Sequence, residues 1–201
     1  MAAEPGVLER ILRWMVIERG TAEISDTFPD SQVATLPPAL RIPSRACLAG
    51  PVVTLARLPA EAGGEQRSSF AVLREAVTPG DVILVACDPS AGAAFGSNIA
   101  VHAAACRAQA LLTDGAWRDE RLLAGVGIPV MAGSATPRKA VGRRYRPVET
   151  QSMFGLQWAA GDWLLADADG ILRLAADAAV DVAAEIASTA SGELAQLLEN
   201  A

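Results

Sequence analysis

The distribution of apolar positions divides much of the chain into alternating helices and strands. Between Val7 and Arg19 the apolar residues recur every three or four positions, which is typical of one buried face of a helix. Val82–Cys87 is an unbroken apolar run bounded by turn residues, as expected for a strand covered on both faces. Ala110–Thr113 and Pro129–Ala132 have the same character, and helical segments separate the three runs. This order predicts parallel strands joined by right-handed crossovers.

The remaining segments complete an α/β pattern. Ala46–Leu55 is typical of a strand that is interrupted at Gly50-Pro51, and short helices are predicted near Asp26 and over Ser68–Ala76. After Pro137 apolar residues alternate with turns, which favours antiparallel strands over 141–147, 156–158 and 163–166. An alanine-rich helix is predicted over about 176–198, and its apolar surface suggests contacts between subunits. No linker divides the chain, so residues 1–201 are expected to form one domain.

Two loops that follow predicted strands carry the candidate chemistry. In the first, Gly96 and Ser97 precede Asn98 and Ile99 at the start of a predicted helix. The leading amide groups of such a helix can bind a carboxylate or a phosphate. The competing interpretation is that Ser97 or Asn98 only caps the helix.

The second loop contains Arg118-Asp119, which comes soon after Asp114-Gly115. At a strand end, the guanidinium of an arginine can donate two hydrogen bonds to an anionic substrate. The carboxylate beside it can provide an oxygen ligand for a hard divalent cation. The competing interpretation is that Asp119 caps the next helix while Arg118 forms a surface ion pair. The presence of both loops on consecutive crossovers favours a functional site.

Composition removes several other classes of function. The net charge is −6, which argues against a nucleic-acid partner, and no apolar stretch is long enough to span a membrane. A single histidine, His102, excludes a zinc site with several imidazoles within one chain. The three cysteines lack metal or redox spacing and the first residues do not resemble a signal peptide, so we expect a reduced, cytoplasmic protein.

Seven short motifs occur in order along most of the chain: Ser25-Asp26, Gly50-Pro51-Val52, Pro79-Gly80-Asp81-Val82, Asp114-Gly115-Ala116-Trp117-Arg118-Asp119, Thr136-Pro137, Gly161-Asp162 and Asp167-Ala168-Asp169-Gly170. This series resembles the RraA-like family, which contains metal-dependent 4-hydroxy-4-methyl-2-oxoglutarate aldolases with oxaloacetate decarboxylase activity and the protein regulator of ribonuclease E. The resemblance implies a swivelling-type β/β/α domain that forms a homotrimer or a dimer of trimers, with active sites at subunit boundaries.

The same resemblance assigns roles to the two loops. It implies that Asp119 holds Mg²⁺ or Mn²⁺, largely through waters, and that Arg118 binds a small 2-oxo acid and steadies the developing enolate. The amides around Ser97, Asn98 and Ile99, which follow Gly96, would receive the substrate carboxylate. The implied activity is that of a carbon–carbon lyase, an aldolase or decarboxylase that works through a metal-stabilised enolate.

Two positions depart from the aldolase pattern, because Ser97 and Leu122 stand where the family's aldolases carry acidic residues. They leave two alternatives open: a catalytically altered or inactive member that acts as a regulatory protein-binding module, and an enzyme for a different oxyacid. An imine mechanism would depend on Lys139, the one lysine of the chain, in a polar turn where it makes a poor imine former. His102 lies one turn into its predicted helix. A lone histidine on an alanine-rich helix more often has a structural role than a catalytic one.

Overall fold

The computed structural model describes residues 5–30, 32–37, 46–58, 68–87, 92–139 and 144–189. The helices in these ranges are α1 (Pro5–Glu18), α2 (Gly20–Thr27), α3 (Ser69–Ala76), α4 (Ser97–Ala105), α5 (Glu120–Leu123) and α6 (Ala176–Thr189). The strands are β1 (Val33–Thr35), β2 (Leu48–Leu58), β3 (Val82–Ala86), β4 (Ala93–Phe95), β5 (Ala110–Trp117), β6 (Val130–Ala135), β7 (Arg144–Pro147), β8 (Thr150–Met153), β9 (Leu156–Ala159), β10 (Trp163–Ala166) and β11 (Ile171–Leu174).

A nine-stranded mixed sheet organises these elements. Strands β2, β3, β5 and β6 are parallel neighbours, and β4 joins the carboxyl end of β5, also in parallel. On the other side of β2 the strands β10, β11 and β1 follow in antiparallel order. The parallel core and the antiparallel carboxyl-terminal strands are therefore both confirmed.

Alternate residues of the strands face two different layers. On β3, Val82 and Leu84 pack with the β8–β9 hairpin residues Met153 and Trp158. Ile83 of the same strand packs instead with apolar side chains of α3 and α4. Strand β10 alternates in the same way between the hairpin side and the helices α1, α2 and α6. The domain thus has a hairpin, a sheet and a helical layer, which confirms the α/β class and the β/β/α layering.

The predicted interruption of β2 at Gly50-Pro51 is wrong, because β2 runs unbroken through both residues. Pro51 pairs with Trp163 and Gly50 with Leu164. A Cβ built on Gly50 would lie 2.5 Å from the Gly80 carbonyl oxygen. The glycine therefore lets the neighbouring turn approach the strand and does not break it.

The sequence patterns missed the short strands β1, β4, β8 and β11, which have three or four residues each. The predicted tail helix is present as α6 up to Thr189, and its expected continuation to 198 lies outside the described residues, as do residues 140–143 of the predicted 141–147 strand. Within the described ranges, every helix falls short of the length and apolar character that crossing a bilayer requires.

Candidate functional site

The two predicted loops meet at the carboxyl ends of β4 and β5. The Arg118 N–H donates to the Phe95 carbonyl oxygen at 3.1 Å, which fixes the second loop beside the first. A Cβ built on Gly96 would lie 2.5 Å from Asp119 Oδ2 and 3.0 Å from Arg118 Cγ. The φ of Gly96 is −146°, an extended value that any residue adopts, so glycine is needed here for space and not for its backbone conformation.

The carboxylate of Asp119 is directed at the amino end of α4. Its Oδ2 accepts hydrogen bonds from the Ser97 N–H and the Ser97 hydroxyl, each at 3.2 Å. The same oxygen lies 3.6 Å from Arg118 Nε, and the two side chains are 34% and 32% exposed. A helix amino end, an arginine and a carboxylate are thus gathered in one half-exposed place.

Asp119 itself adopts a left-handed backbone conformation, with φ 66° and ψ 34°. Among non-glycine residues, aspartate and asparagine tolerate this region best, and the strain is of the order of 1 kcal/mol. The residue occupies the cap position of α5, but its side chain makes no capping hydrogen bond there. The interpretation of Asp119 as a simple helix cap therefore does not describe its side chain.

The competing interpretation of the first loop also fails. Gly96 occupies the cap position of α4, without a side-chain cap, and the Ser97 hydroxyl is used on Asp119. Of the amides expected to receive a substrate carboxylate, the Ser97 N–H donates to Asp119 and the Ile99 N–H to the Gly96 carbonyl. The backbone N–H of Asn98 has no hydrogen-bond partner within the described residues. It is therefore the one of these three backbone amides that is available to a ligand.

An irregularity in β5 lies a few residues before Arg118 and Asp119. Its pairing with β6 shifts register between Thr113 and Ala116, across Asp114-Gly115. Asp114 Oδ1 accepts a hydrogen bond from the Cys87 N–H at 3.0 Å, while burial raises the pKa of the Asp114 carboxyl above its usual value. A Cβ on Gly115 would lie 3.0 Å from the Cys87 carbonyl oxygen. Asp114-Gly115 therefore joins the ends of β3 and β5.

The other residues singled out by the sequence lie around this centre. The His102 ring stacks on Phe70 with centroids 3.7 Å apart, and its Nδ1 is 2.8 Å from the Asn98 carbonyl oxygen, so its contacts are with α3 and its own helix. Leu122 is 64% exposed on α5. Lys139 is exposed and forms an isolated parallel bridge with Ala93. Cys87 is buried, whereas Cys47 and Cys106 are half-buried, and all three are free thiols.

Sequence reasoning missed two side chains that hold the strand before Gly96. The Arg57 guanidinium and the Tyr145 hydroxyl both donate to the Ala94 carbonyl oxygen, at 2.6 and 2.7 Å. Tyr145 lies inside a basic run that offered no sign of a role here, and Arg57 lies at the end of β2.

The side chains at this centre fit a divalent cation that keeps most of its water ligands. They do not fit a metal site whose ligands all come from the protein. The described residues include no group of three or more His, Cys, Asp or Glu side chains that could hold a metal ion. Asp119 offers a partly exposed carboxylate, and its Oδ1 makes no hydrogen bond within the described ranges. Mg²⁺ usually keeps several waters and needs only one or two protein carboxylates together with substrate oxygens.

Comparisons with known proteins identify the family of the chain. Residues 21–173 match the RraA-like family model, described as Aldolase/RraA. A protein of Xanthomonas campestris pv. campestris (strain B100) with the name "Putative 4-hydroxy-4-methyl-2-oxoglutarate aldolase" is 32% identical over 167 residues, which are 81% of this chain and 95% of that protein.

Solved structures show the same fold. The RNA-processing inhibitor RraA from Thermus thermophilis has a TM-score of 0.61 at 28% identity, over 77% of this chain and 91% of that one. RraAS2 of Streptomyces coelicolor, described as an unusual member of the RNase ES inhibitor RraA protein family, has a TM-score of 0.70 at 21% identity, over 96% of this chain and 98% of that one. With its family model, its curated relatives and its fold in agreement, the chain belongs to the RraA-like (Aldolase/RraA) family.

Proposed function

We propose that this protein is a carbon–carbon lyase, an aldolase or decarboxylase, that acts on a small 2-oxo acid with Mg²⁺ or Mn²⁺. The observation that carries the proposal is the convergence of Arg118, Asp119 and the amino end of α4 on one place, with Gly96 making room for it. A relative 32% identical that carries an aldolase name supports the same class of reaction.

In the proposed reaction the anionic substrate is held between a guanidinium and a helix amino end. The open Asn98 amide at the start of α4 receives the substrate carboxylate, because helix amino ends favour anions. The Arg118 side chain lies beside Gly96, next to the Asp119 carboxylate, and donates to the keto-acid oxygens, where its fixed positive charge stabilises the negative charge that develops during bond cleavage.

Asp119 provides the cation ligand. Its Oδ1 is the oxygen that faces the cation, while its Oδ2 stays anchored by the two hydrogen bonds from Ser97. When bound, a divalent cation supplies Lewis-acid stabilisation of negative charge on the keto oxygen. Since one carboxylate is a weak ligand set by itself, we expect the substrate oxygens to contribute much of the affinity for the cation.

The test is release of pyruvate from oxaloacetate by the purified protein, with and without Mg²⁺ or Mn²⁺. Asp119→Asn is expected to lower the metal-dependent rate by roughly 100-fold or more, in line with the loss of a group that stabilises transition-state charge. Glu120→Gln is the matched control, because it removes a carboxylate one position along the chain and is expected to keep the rate. Equal rates in the wild type and Asp119→Asn would contradict the proposal.

A regulatory, protein-binding role is the second candidate. It is favoured by the lack of a second carboxylate at the amino end of α4, where Ser97 stands, and by the strong exposure of Leu122 at 64%. The similar Thermus protein is named as an RNA-processing inhibitor. If the protein is inactive on oxo acids and instead retains a specific macromolecule that Leu122→Glu releases, this candidate replaces the lyase.

The proposal includes a homotrimeric or hexameric assembly in a reducing, cytoplasmic setting. Val180 on α6 and Ile17 on α1 are 40% and 54% exposed, and the two helices pack together, so this surface offers apolar area to another subunit. Free Cys47 and Cys106 are compatible with reducing conditions. Sedimentation velocity at several protein concentrations tests the assembly, and a monomer throughout would exclude it.

A further inference from the structure

The strand β4 and the turn that follows it are fixed at successive residues by side chains and backbone groups from elsewhere in the fold. The Ala93 N–H donates to the Arg138 carbonyl oxygen at 3.0 Å, and the Phe95 carbonyl oxygen accepts from the Arg118 N–H at 3.1 Å. Of the next two residues, Gly96 leaves the space for Asp119 Oδ2 that a Cβ would fill, and Ser97 donates a hydrogen bond to that oxygen. A shift of β4 along its axis would therefore move the amino end of α4 relative to Asp119.

Arg57 reaches this strand from the end of β2. Its Nη1 donates to the carbonyl oxygens of both Ala93 and Ala94, the second at 2.6 Å. A single guanidinium nitrogen thus bridges two consecutive carbonyls of β4. Such charge-assisted hydrogen bonds are stronger than neutral ones, and here they are partly shielded from water.

Tyr145 reaches the same strand from β7. Its hydroxyl donates to the Ala94 carbonyl oxygen at 2.7 Å, and the residue is only 7% exposed. Burial raises the pKa of the Tyr145 hydroxyl well above its usual range, although the nearby Arg57 charge opposes the shift. The hydroxyl therefore stays protonated at neutral pH and can donate this hydrogen bond.

From this arrangement we infer that Arg57 and Tyr145 are positioning residues for the proposed lyase site: together they hold the Ala94 carbonyl, and through β4 they set where Gly96, Ser97 and the Asn98 amide stand relative to Arg118 and Asp119. The inference rests on the proposed function for its chemistry. Neither side chain touches the anion itself, since both end on backbone carbonyls at least one residue before Gly96.

If Arg57 and Tyr145 only stabilised the fold, replacing them would lower stability without a specific loss of ligand affinity. Thr21→Val is the matched control for this comparison. Thr21 also donates a buried hydroxyl hydrogen bond, to Asp167 Oδ1 at 2.6 Å. Asp167 follows β10, whose last residue Ala166 pairs with Leu48 at the start of β2, whereas Arg57 stands at the other end of β2. Tyr145→Phe and Thr21→Val each remove one buried hydroxyl donor. The two hydrogen bonds lie near opposite ends of β2.

The first measurement is binding of oxalate, a small dicarboxylate, to the full-length protein with Mg²⁺ by calorimetry. Tyr145→Phe is expected to raise the oxalate Kd by roughly 10-fold, since small displacements in a binding site have effects of this size or larger. Thr21→Val is expected to leave the oxalate Kd unchanged while losing comparable thermal stability. Arg57→Gln, which removes the other donor to Ala94, is expected to have at least as large an effect as Tyr145→Phe.

The second measurement needs no ligand. Hydrogen exchange of the Arg118 and Ser97 amides reports directly on the contacts that β4 makes with the second loop. Tyr145→Phe is expected to accelerate both by roughly 10-fold relative to Thr21→Val. Unchanged exchange, or an oxalate Kd that rises equally in Thr21→Val, would overturn the inference. If wild-type protein binds oxalate but releases no pyruvate, the lyase proposal fails while the positioning role survives.

Discussion

Ser97 donates both its backbone N–H and its hydroxyl to one carboxylate oxygen of Asp119. Two elements that are separate in sequence, the start of α4 and the loop after β5, are thus joined by a pair of hydrogen bonds at 3.2 Å. An internal carboxylate occupies the position at the helix amino end that usually attracts an external anion. In the proposed reaction, binding of a substrate carboxylate next to it would need a cation or Arg118 to offset the charge of Asp119.

Replacing Gly96 by alanine tests the close approach at the site. The new Cβ would lie 2.5 Å from Asp119 Oδ2, so the carboxylate must move away from Ser97. We expect the free energy of unfolding to fall by about 1–3 kcal/mol, as for other overpacked positions. We also expect the proposed lyase activity to fall by a larger factor than the loss of folded protein explains. Gly133→Ala is the control, because its Cβ would meet nothing closer than 3.8 Å. Chemical denaturation and the pyruvate assay give the two readouts.

Replacing Ser97 by aspartate tests the proposed cation site. The introduced carboxylate faces Asp119 Oδ2, which lies 3.2 Å from the present hydroxyl, so like charges repel when no cation is bound. We expect a lower melting temperature without metal, recovery with Mn²⁺, and a Kd for Mn²⁺ lowered by roughly 10-fold because a second hard ligand is present. Ser97→Asn, which lacks the charge, should show neither the repulsion nor the recovery in calorimetric titration.

The Asp114 carboxyl gives a prediction about pH. Burial is the main cause of its raised pKa, and the hydrogen bond from Cys87 opposes the shift only in part. A raised folded-state pKa means that ionisation disfavours the folded state, so the contribution of Asp114 to stability declines as pH rises above the ordinary carboxyl value of 3.8. Asp114→Asn should therefore gain stability relative to wild type as pH rises above about 4, and the difference should level off once Asp114 is ionised in the folded protein. Urea unfolding across this range measures it, and parallel curves would contradict it.

The buried Asp162 should matter for stability and not for the site. It is 2% exposed and accepts hydrogen bonds from Arg173 Nε at 2.7 Å and from the Ala159 and Ala176 amides. Asp162→Ala leaves a partly buried guanidinium without its partner, and we expect a loss of about 3–5 kcal/mol in the free energy of unfolding. Oxalate affinity of the folded fraction should stay unchanged, whereas a parallel loss of affinity would show a role in the site.

The long apolar runs predicted the parallel core correctly, because a strand such as Val82–Ala86 that is buried on both faces needs apolar residues at every position. The short strand β4 was not predicted, because three residues of Ala-Ala-Phe carry no periodic signal. Its position depends on hydrogen bonds from Arg57, Tyr145 and Arg118, and none of these long-range partners is visible in a local pattern.

For the site, strand-end reasoning located both loops, and the family resemblance added roles for Arg118 and Asp119 that remain proposals. The sequence did not reveal that Ser97 and Asp119 bond to each other. That contact requires the irregularity in β5 and the left-handed conformation of Asp119, and both result from the pairing of β5 with its neighbours. Arg57 and Tyr145 were missed for the same reason, because each donates to the backbone carbonyl of Ala94 and no sequence motif reveals such a contact.

The unbroken course of β2 also has a consequence for folding. Its first residues pair with β10 and its last residues with β3 and β7, so one strand ties the antiparallel and parallel halves into a single cooperative unit. Leu48 finds Ala166 only after most of the chain has been synthesised. Contacts this distant in sequence slow the search for the native topology, so the pairing of β2 with β10 is expected to form late.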